Sequence, residues 1–86
     1  MKTIWKYTLE PETEIELPVL CKILKVDSQH GRAVMWAFVD PGVEREKRKF
    51  VVYGTGHDMP DNPGVYIGTF QLKGGDLVFH VFEVAL

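Results

Sequence analysis

The sequence predicts an all-β fold: a small antiparallel sheet, curled into a barrel or folded into a sandwich, of about six strands. Three observations carry this. Runs of β-branched and aromatic residues recur at short spacing between Gly and Pro turns. Two tight-turn signals, His30-Gly31 and Gly74-Gly75, sit between such runs and mark hairpins. No segment sustains the 3.6-residue apolar period of a helix.

Thr3 to Leu9 is the first strand, rich in β-branched and aromatic residues, and Pro11 interrupts it. Glu14-Ile15-Glu16-Leu17 alternates polar and apolar before Pro18, as a short edge strand or an extended link does. Cys21 to Val39 is a hairpin. With His30-Gly31 as its turn, Gln29 faces Arg32, Val26 faces Met35 and Leu24 faces Ala37. Leu24, Val26, Ala33, Met35, Ala37 and Val39 then share an apolar face, and Lys25, Asp27 and Trp36 the other. A slip of one residue exchanges the faces.

Asp40-Pro41-Gly42 is a turn in which Pro presets its own φ and Gly tolerates the conformation the next position needs. Val43 to Lys49 has room for one helical turn. The strand Lys47 to Tyr53 puts Phe50 and Val52 on one face and Val51 and Tyr53 on the other. Gly54 to Gly64, containing Pro60 and Pro63, is longer than most connections, which points to function.

The last hairpin, Tyr66–Lys73 and Asp76–Glu83, is the easiest to read. Its Gly74-Gly75 turn sets Lys73 against Asp76, Phe70 against Phe79 and Thr69 against His80. One face carries Phe70, Leu72, Leu77, Phe79 and Val81. The other carries Thr69, Gln71 and His80 among Ile67, Val78 and Phe82, half polar as a binding surface is.

Eighty-six residues make a single domain, 1–86, that buries roughly 60–65% of its unfolded surface. The lone Cys21 offers no internal disulfide and fits a reducing compartment. Oligomerisation is the remaining way to add buried area, so a homo-oligomer is expected. The net charge of -2 argues against general nucleic-acid binding. Arg45, Lys47, Arg48 and Lys49 form a basic cluster broken by Glu44 and Glu46, which as a rule stays in water. The N-terminus has no apolar run of signal-peptide length, and no stretch approaches the ~20 apolar residues of a membrane span. The expected location is the cytoplasm, with no membrane partner.

The most site-like segment is Gly54-Thr55-Gly56-His57. Its glycines let backbone N–H groups approach an anion, and Thr55 and His57 add side-chain hydrogen bonds. It lacks the ending of a Walker loop and the spacing of a dinucleotide fingerprint. The bland alternative is an ordinary turn. His80, mid-strand between Phe79 and Val81, reads first as a structural residue bonded to Thr69. Cys21, His57 and His80 lack paired metal-ligand spacing. No catalytic motif is present, so neither catalytic residues nor a cofactor are expected. Trp5, Tyr7, Trp36, Tyr53 and Tyr66 are amphipathic rings that fill the core or an interface, or stack on a ligand ring.

The elements Ile4-Trp5-Lys6-Tyr7, Ile23-Leu24-Lys25-Val26, Gln29-His30-Gly31, Trp36–Pro41, Lys47–Phe50, Tyr53–His57, Tyr66–Leu72 and Gly74-Gly75 with Leu77–Glu83 resemble a family of small proteins carried mainly by phages and prophages and classed as a domain of unknown function. The resemblance spans nearly the whole chain. One departure is Val19-Leu20-Cys21 after Pro18, where the family pattern has Lys-Gly-Ala; a bulky Leu20 there weighs against a tight turn. The resemblance implies a phage context and no established activity.

Together these point to a non-enzymatic binding protein of phage counter-defence. It would sequester a small anionic, nucleotide-derived signal, such as a cyclic nucleotide or an ADP-ribose derivative. The candidate ligand-binding residues are Gly54, Thr55, Gly56, His57, Arg48, Trp36, Thr69, Gln71 and His80. The alternatives are a protein-interaction module that inhibits a host or phage protein, and a phosphodiester hydrolase that uses His57 and His80.

Overall fold

Strands form wherever β-branched and aromatic residues alternate with polar ones. They are β1 (Thr3–Thr8), β2 (Glu12–Pro18), β3 (Lys22–Gln29), β4 (Arg32–Val39), β5 (Arg45–Gly54), β6 (Val65–Leu72) and β7 (Leu77–Val84). The structure, a computed structural model, describes residues 1–86. A short 3₁₀ turn, Lys73–Gly75, joins β6 to β7. β2 is a full strand rather than a link. Its alternation is visible as exposed Glu12, Glu14 and Glu16 against Ile15 and Leu17, the latter fully buried. Val43 to Lys49 forms no helical turn: β5 begins at Arg45, and its pairing with β2 holds it extended.

Two antiparallel sheets result, one ordered β1-β4-β3 and the other β2-β5-β7-β6. They pack face to face as a sandwich and do not close into a barrel. Leu9, Leu17, Val26, Met35, Phe50, Phe70 and Val81 fill the space between them. Burying a side chain of this size contributes roughly 1.5–3 kcal/mol, so this cluster is the main source of stability.

Both hairpin registers follow their turns. His30 and Gly31 take φ of 52° and 76°, the paired left-handed conformation of a type I′ turn. Gln29 faces Arg32 and Val26 faces Met35. In the last hairpin Phe70 faces Phe79 and Thr69 faces His80.

Each hairpin departs from the simple pattern at one bulge. In β3 the register shifts between Ile23 and Lys25, so Ile23 rather than Leu24 opposes Ala37. Leu24 is left outside, 48% exposed, while Ile23 packs on the core. In β6 the shift lies between Tyr66 and Gly68, and it turns Ile67 from the outer face onto the core. β3 and β6 are the strands through which the sheets meet, and Gly68 makes that approach possible. A Cβ there would lie 2.6 Å from Val26 Cγ2. The turn after β2 also forms despite Leu20. Cys21 N–H donates to the Pro18 carbonyl at 3.3 Å, and Leu20 takes the left-handed φ of 62°. No helix is long and apolar enough to cross a membrane.

Candidate functional site

Strand alternation divides the nine candidate residues among four places. At the end of β5 successive residues face opposite ways. Gly54 faces the gap between the sheets, and Thr55 faces the outer side of the four-stranded sheet. A turn closes with His57 N–H donating to the Gly54 carbonyl at 3.1 Å, with Gly56 at a φ of 86°. This folds the His57 ring directly over Gly54, where a Cβ would lie 2.7 Å from the imidazole Cε1. The backbone cradle expected here is largely spent inside the protein. Thr55 N–H donates to the Val78 carbonyl at 3.0 Å, and the His57 amide closes the turn.

Gly54 and His57 line a cleft of about 440 Å³ at one end of the sandwich. Phe70, Phe79, Leu9 and Val52 supply its apolar surface, and Arg32, Glu10 and Thr8 its polar rim. Phe70 and Phe79 stack on each other, centroids 5.5 Å apart at 25°. Sequence reasoning misses Arg32 and the β1–β2 link as parts of a site. Their only signal is position: the His30-Gly31 turn and Pro11 bring them to the end of the sandwich that Gly54 also reaches.

Thr55, Thr69 and His80 meet on the outer face in one directed chain of hydrogen bonds. Thr55 Oγ1 donates to the Val78 carbonyl at 3.2 Å and therefore accepts from His80 Nε2 at 2.7 Å. His80 Nδ1 then carries no proton and accepts from Thr69 Oγ1 at 3.0 Å. Thr69 Oγ1 in turn accepts from the Tyr66 hydroxyl at 2.5 Å. Both ring nitrogens are engaged, which makes His80 a hydrogen-bonded structural group. Beside the chain, Phe82 meets Tyr53 and Tyr66 edge to face at 6.0 and 5.6 Å. Gln71 stands exposed near Gly75.

Arg48 does not join the Gly54–His57 loop. It points to the rim of the core, where Nε and Nη2 donate to the two Glu83 carboxylate oxygens, each at 2.7 Å. Six residues of extended chain, about 20 Å, separate it from Gly54. Its Nη1 donates to Cys21 Sγ at 3.3 Å. Glu83 raises the Arg48 pKa still further. Burial pushes the Cys21 thiol above its ordinary value, outweighing the pull of Arg48. Cys21 is thus held as a thiol, not as a nucleophilic thiolate. Lys47 and Lys49 stand opposite Glu16 and Glu14 of β2, and Arg45 lies over the Trp5 ring, 5.2 Å from its centroid. Trp36 lies on the outer face of the other sheet, remote from the cleft.

With the geometry in place, comparison with known proteins adds one positive finding. The family model described as "Domain of unknown function (DUF7352)" matches residues 1–86. The chain belongs to this family. No curated protein and no solved structure matches it. The family match spans the cleft, the His80 chain and the Trp36 face alike, so it singles out none of them.

His57 and His80 lie on opposite sides of the four-stranded sheet, and Cys21 lies apart from both. The hydrolase reading requires both histidines at one reacting centre. No group of three metal-ligating side chains gathers anywhere.

Proposed function

We propose that the protein is a non-enzymatic binding module that holds a small anionic, nucleotide-derived ligand in the end cleft. The observation that supports this is the pairing of apolar and cationic surface at one opening. The cleft is of ligand-pocket size, the half-buried Phe79, stacked on the core residue Phe70, offers aromatic surface to a planar ring, and Arg32 and His57 stand at the mouth. Arg32, rather than Arg48, takes the phosphate-pairing role, with a fork suited to bidentate contact. In the phage setting implied by the resemblance, the module acts as a cytoplasmic sponge for an immune signal and needs no chemistry of its own.

Isothermal titration with cyclic dinucleotides and cyclic ADP-ribose isomers tests this. Binding is expected with at least one, weakened by Arg32→Glu and His57→Ala. Absence of heat with all of them, at protein well above micromolar concentration, overturns the nucleotide reading. A native mass spectrum of protein from infected cells reports retained ligand and the proposed homo-oligomer together.

A second reading, an interaction module acting on a host or phage protein, draws support from Leu20. This residue is 97% exposed in a left-handed turn beside Phe38 and Val43. A pull-down that yields one stoichiometric partner, abolished by Leu20→Gly but kept in His57→Ala, favours it.

A further inference from the structure

The outer face of the three-stranded sheet concentrates what the net charge conceals. Trp36 and Phe38 sit two residues apart on its central strand β4, about 7 Å along one face. The register puts Lys6 and Lys25 on either side of Trp36, and Ile4 and Lys22 on either side of Phe38. Lys2 lies over the Phe38 ring, 5.6 Å from its centroid. Arg32 pairs with Gln29 at the far end of the same face.

Five of the ten Lys and Arg residues therefore share this face with two of the twelve acidic residues, Asp27 and, beside Lys2 and Phe38, Asp40. Asp27 offsets only Lys25, at 3.1 Å, and Lys6 donates to the neutral Gln29 at 2.6 Å. The outer face of the other sheet is different, because its lysines are matched by the β2 glutamates. Phe38 keeps 40% of its surface exposed although it stands on a central strand.

We infer that this face binds single-stranded nucleic acid, with Trp36 and Phe38 stacking on successive bases and Lys2, Lys6, Lys22 and Lys25 meeting the phosphates. Aromatics at i and i+2 on the outer face of a central strand, Phe38 exposed and Trp36 half-buried, bordered by lysines, form a stacking platform with an electrostatic rim. A duplex hides its base faces, so the rings select for a single strand. Lys2 lies on the N-terminal residues before β1, and a base reaches Phe38 by displacing it. Of the cations on this face only Arg32 also borders the end cleft, and the test leaves it untouched, so the proposal stands or falls without the small-ligand reading.

The test is fluorescence anisotropy with a labelled oligothymidylate of about twelve nucleotides at low salt, alongside a duplex of the same length. Preferential binding of the single strand is expected. In a Trp5→Phe background the remaining indole of Trp36 is quenched. Trp36→Ala weakens binding about fivefold or more. Lys6→Glu with Lys22→Glu weakens it and lowers the salt slope by about 0.7 for each phosphate no longer neutralised. Lys47→Gln on the opposite sheet has no effect. The two Lys variants lie on the surface and decide the matter if Trp36→Ala fails to fold by circular dichroism. Absence of binding at low salt, equal binding of the duplex, or binding that persists unchanged in the Lys6/Lys22 variant overturns the proposal.

Discussion

Arg48 and Glu83 grip each other through two parallel hydrogen bonds, both 2.7 Å long, at the rim of the core. Their side chains are 19% and 23% exposed, so water screens the pair only in part. Glu83→Gln keeps the shape and removes the charge that satisfies the guanidinium. It is expected to cost about 1–3 kcal/mol in urea unfolding. Replacing both partners, as Arg48→Met with Glu83→Leu, recovers most of that stability, because an apolar pair leaves no charge stranded.

Stability should fall at alkaline pH. Burial raises the Cys21 thiol above its ordinary 9.0 and the Tyr7 phenol above its ordinary 10.0. Both groups are harder to ionise in the folded chain than in the unfolded one. The unfolded chain therefore releases its protons first, and stability is complete below the ordinary thiol value. It declines as pH rises from there through the raised folded values. Melting temperatures measured across this range are expected to fall, and Cys21→Ala with Tyr7→Phe flattens the decline.

Gly68 sets the spacing of the sheets. A Cβ placed on it meets Val26 Cγ2 at 2.6 Å, and a β-branched side chain has little freedom to withdraw. Gly68→Ala is expected to destabilise by about 1–3 kcal/mol, the usual cost of overpacking. Val26→Ala costs stability alone but restores part of it in the double variant. A double-mutant cycle by chemical denaturation reads this coupling directly, and purely additive effects would contradict the contact.

Leu20 carries backbone strain with no packing in return. At a φ of 62° and 97% exposed, it occupies a conformation that glycine takes freely. Leu20→Gly is expected to raise stability by about 0.5–1 kcal/mol, since the relieved left-handed strain exceeds the entropy glycine adds to the unfolded chain. A lower melting temperature for this variant would contradict that.

The hairpins are legible in the sequence because a Gly-containing turn counts residues for the strands on either side. Phe70–Phe79 and Val26–Met35 follow from that counting alone. The bulges are not legible, because an extra residue alters register without altering composition. Leu24 and Ile67 each stand one step away from where the turn count puts them for this reason. The candidate site is legible only in pieces. Gly54 and His57 belong to a cleft, while Thr55, between them in sequence, belongs to the opposite side of the sheet. The basic neighbours of Arg48 suggest an anion site, but its partner Glu83 lies thirty-five residues away. The Lys-flanked face of Trp36 is hidden because its cations are dispersed along β1 and β3 and gather only through pairing with β4.

The Thr69–His80 pairing also bears on how the chain finds its fold. β6 and β7 both carry apolar residues at alternate positions, so a slip of two residues would still bury an apolar face. Phe70 would meet Leu77 or Val81 in place of Phe79 at little cost. Thr69 would meet Val78 or Phe82, and the imidazole would be left without its partner. The hydrogen-bonded chain from Tyr66 to Val78 is complete in one alignment only. It serves as a proofreading mark, by which two greasy strands reject every pairing but the right one.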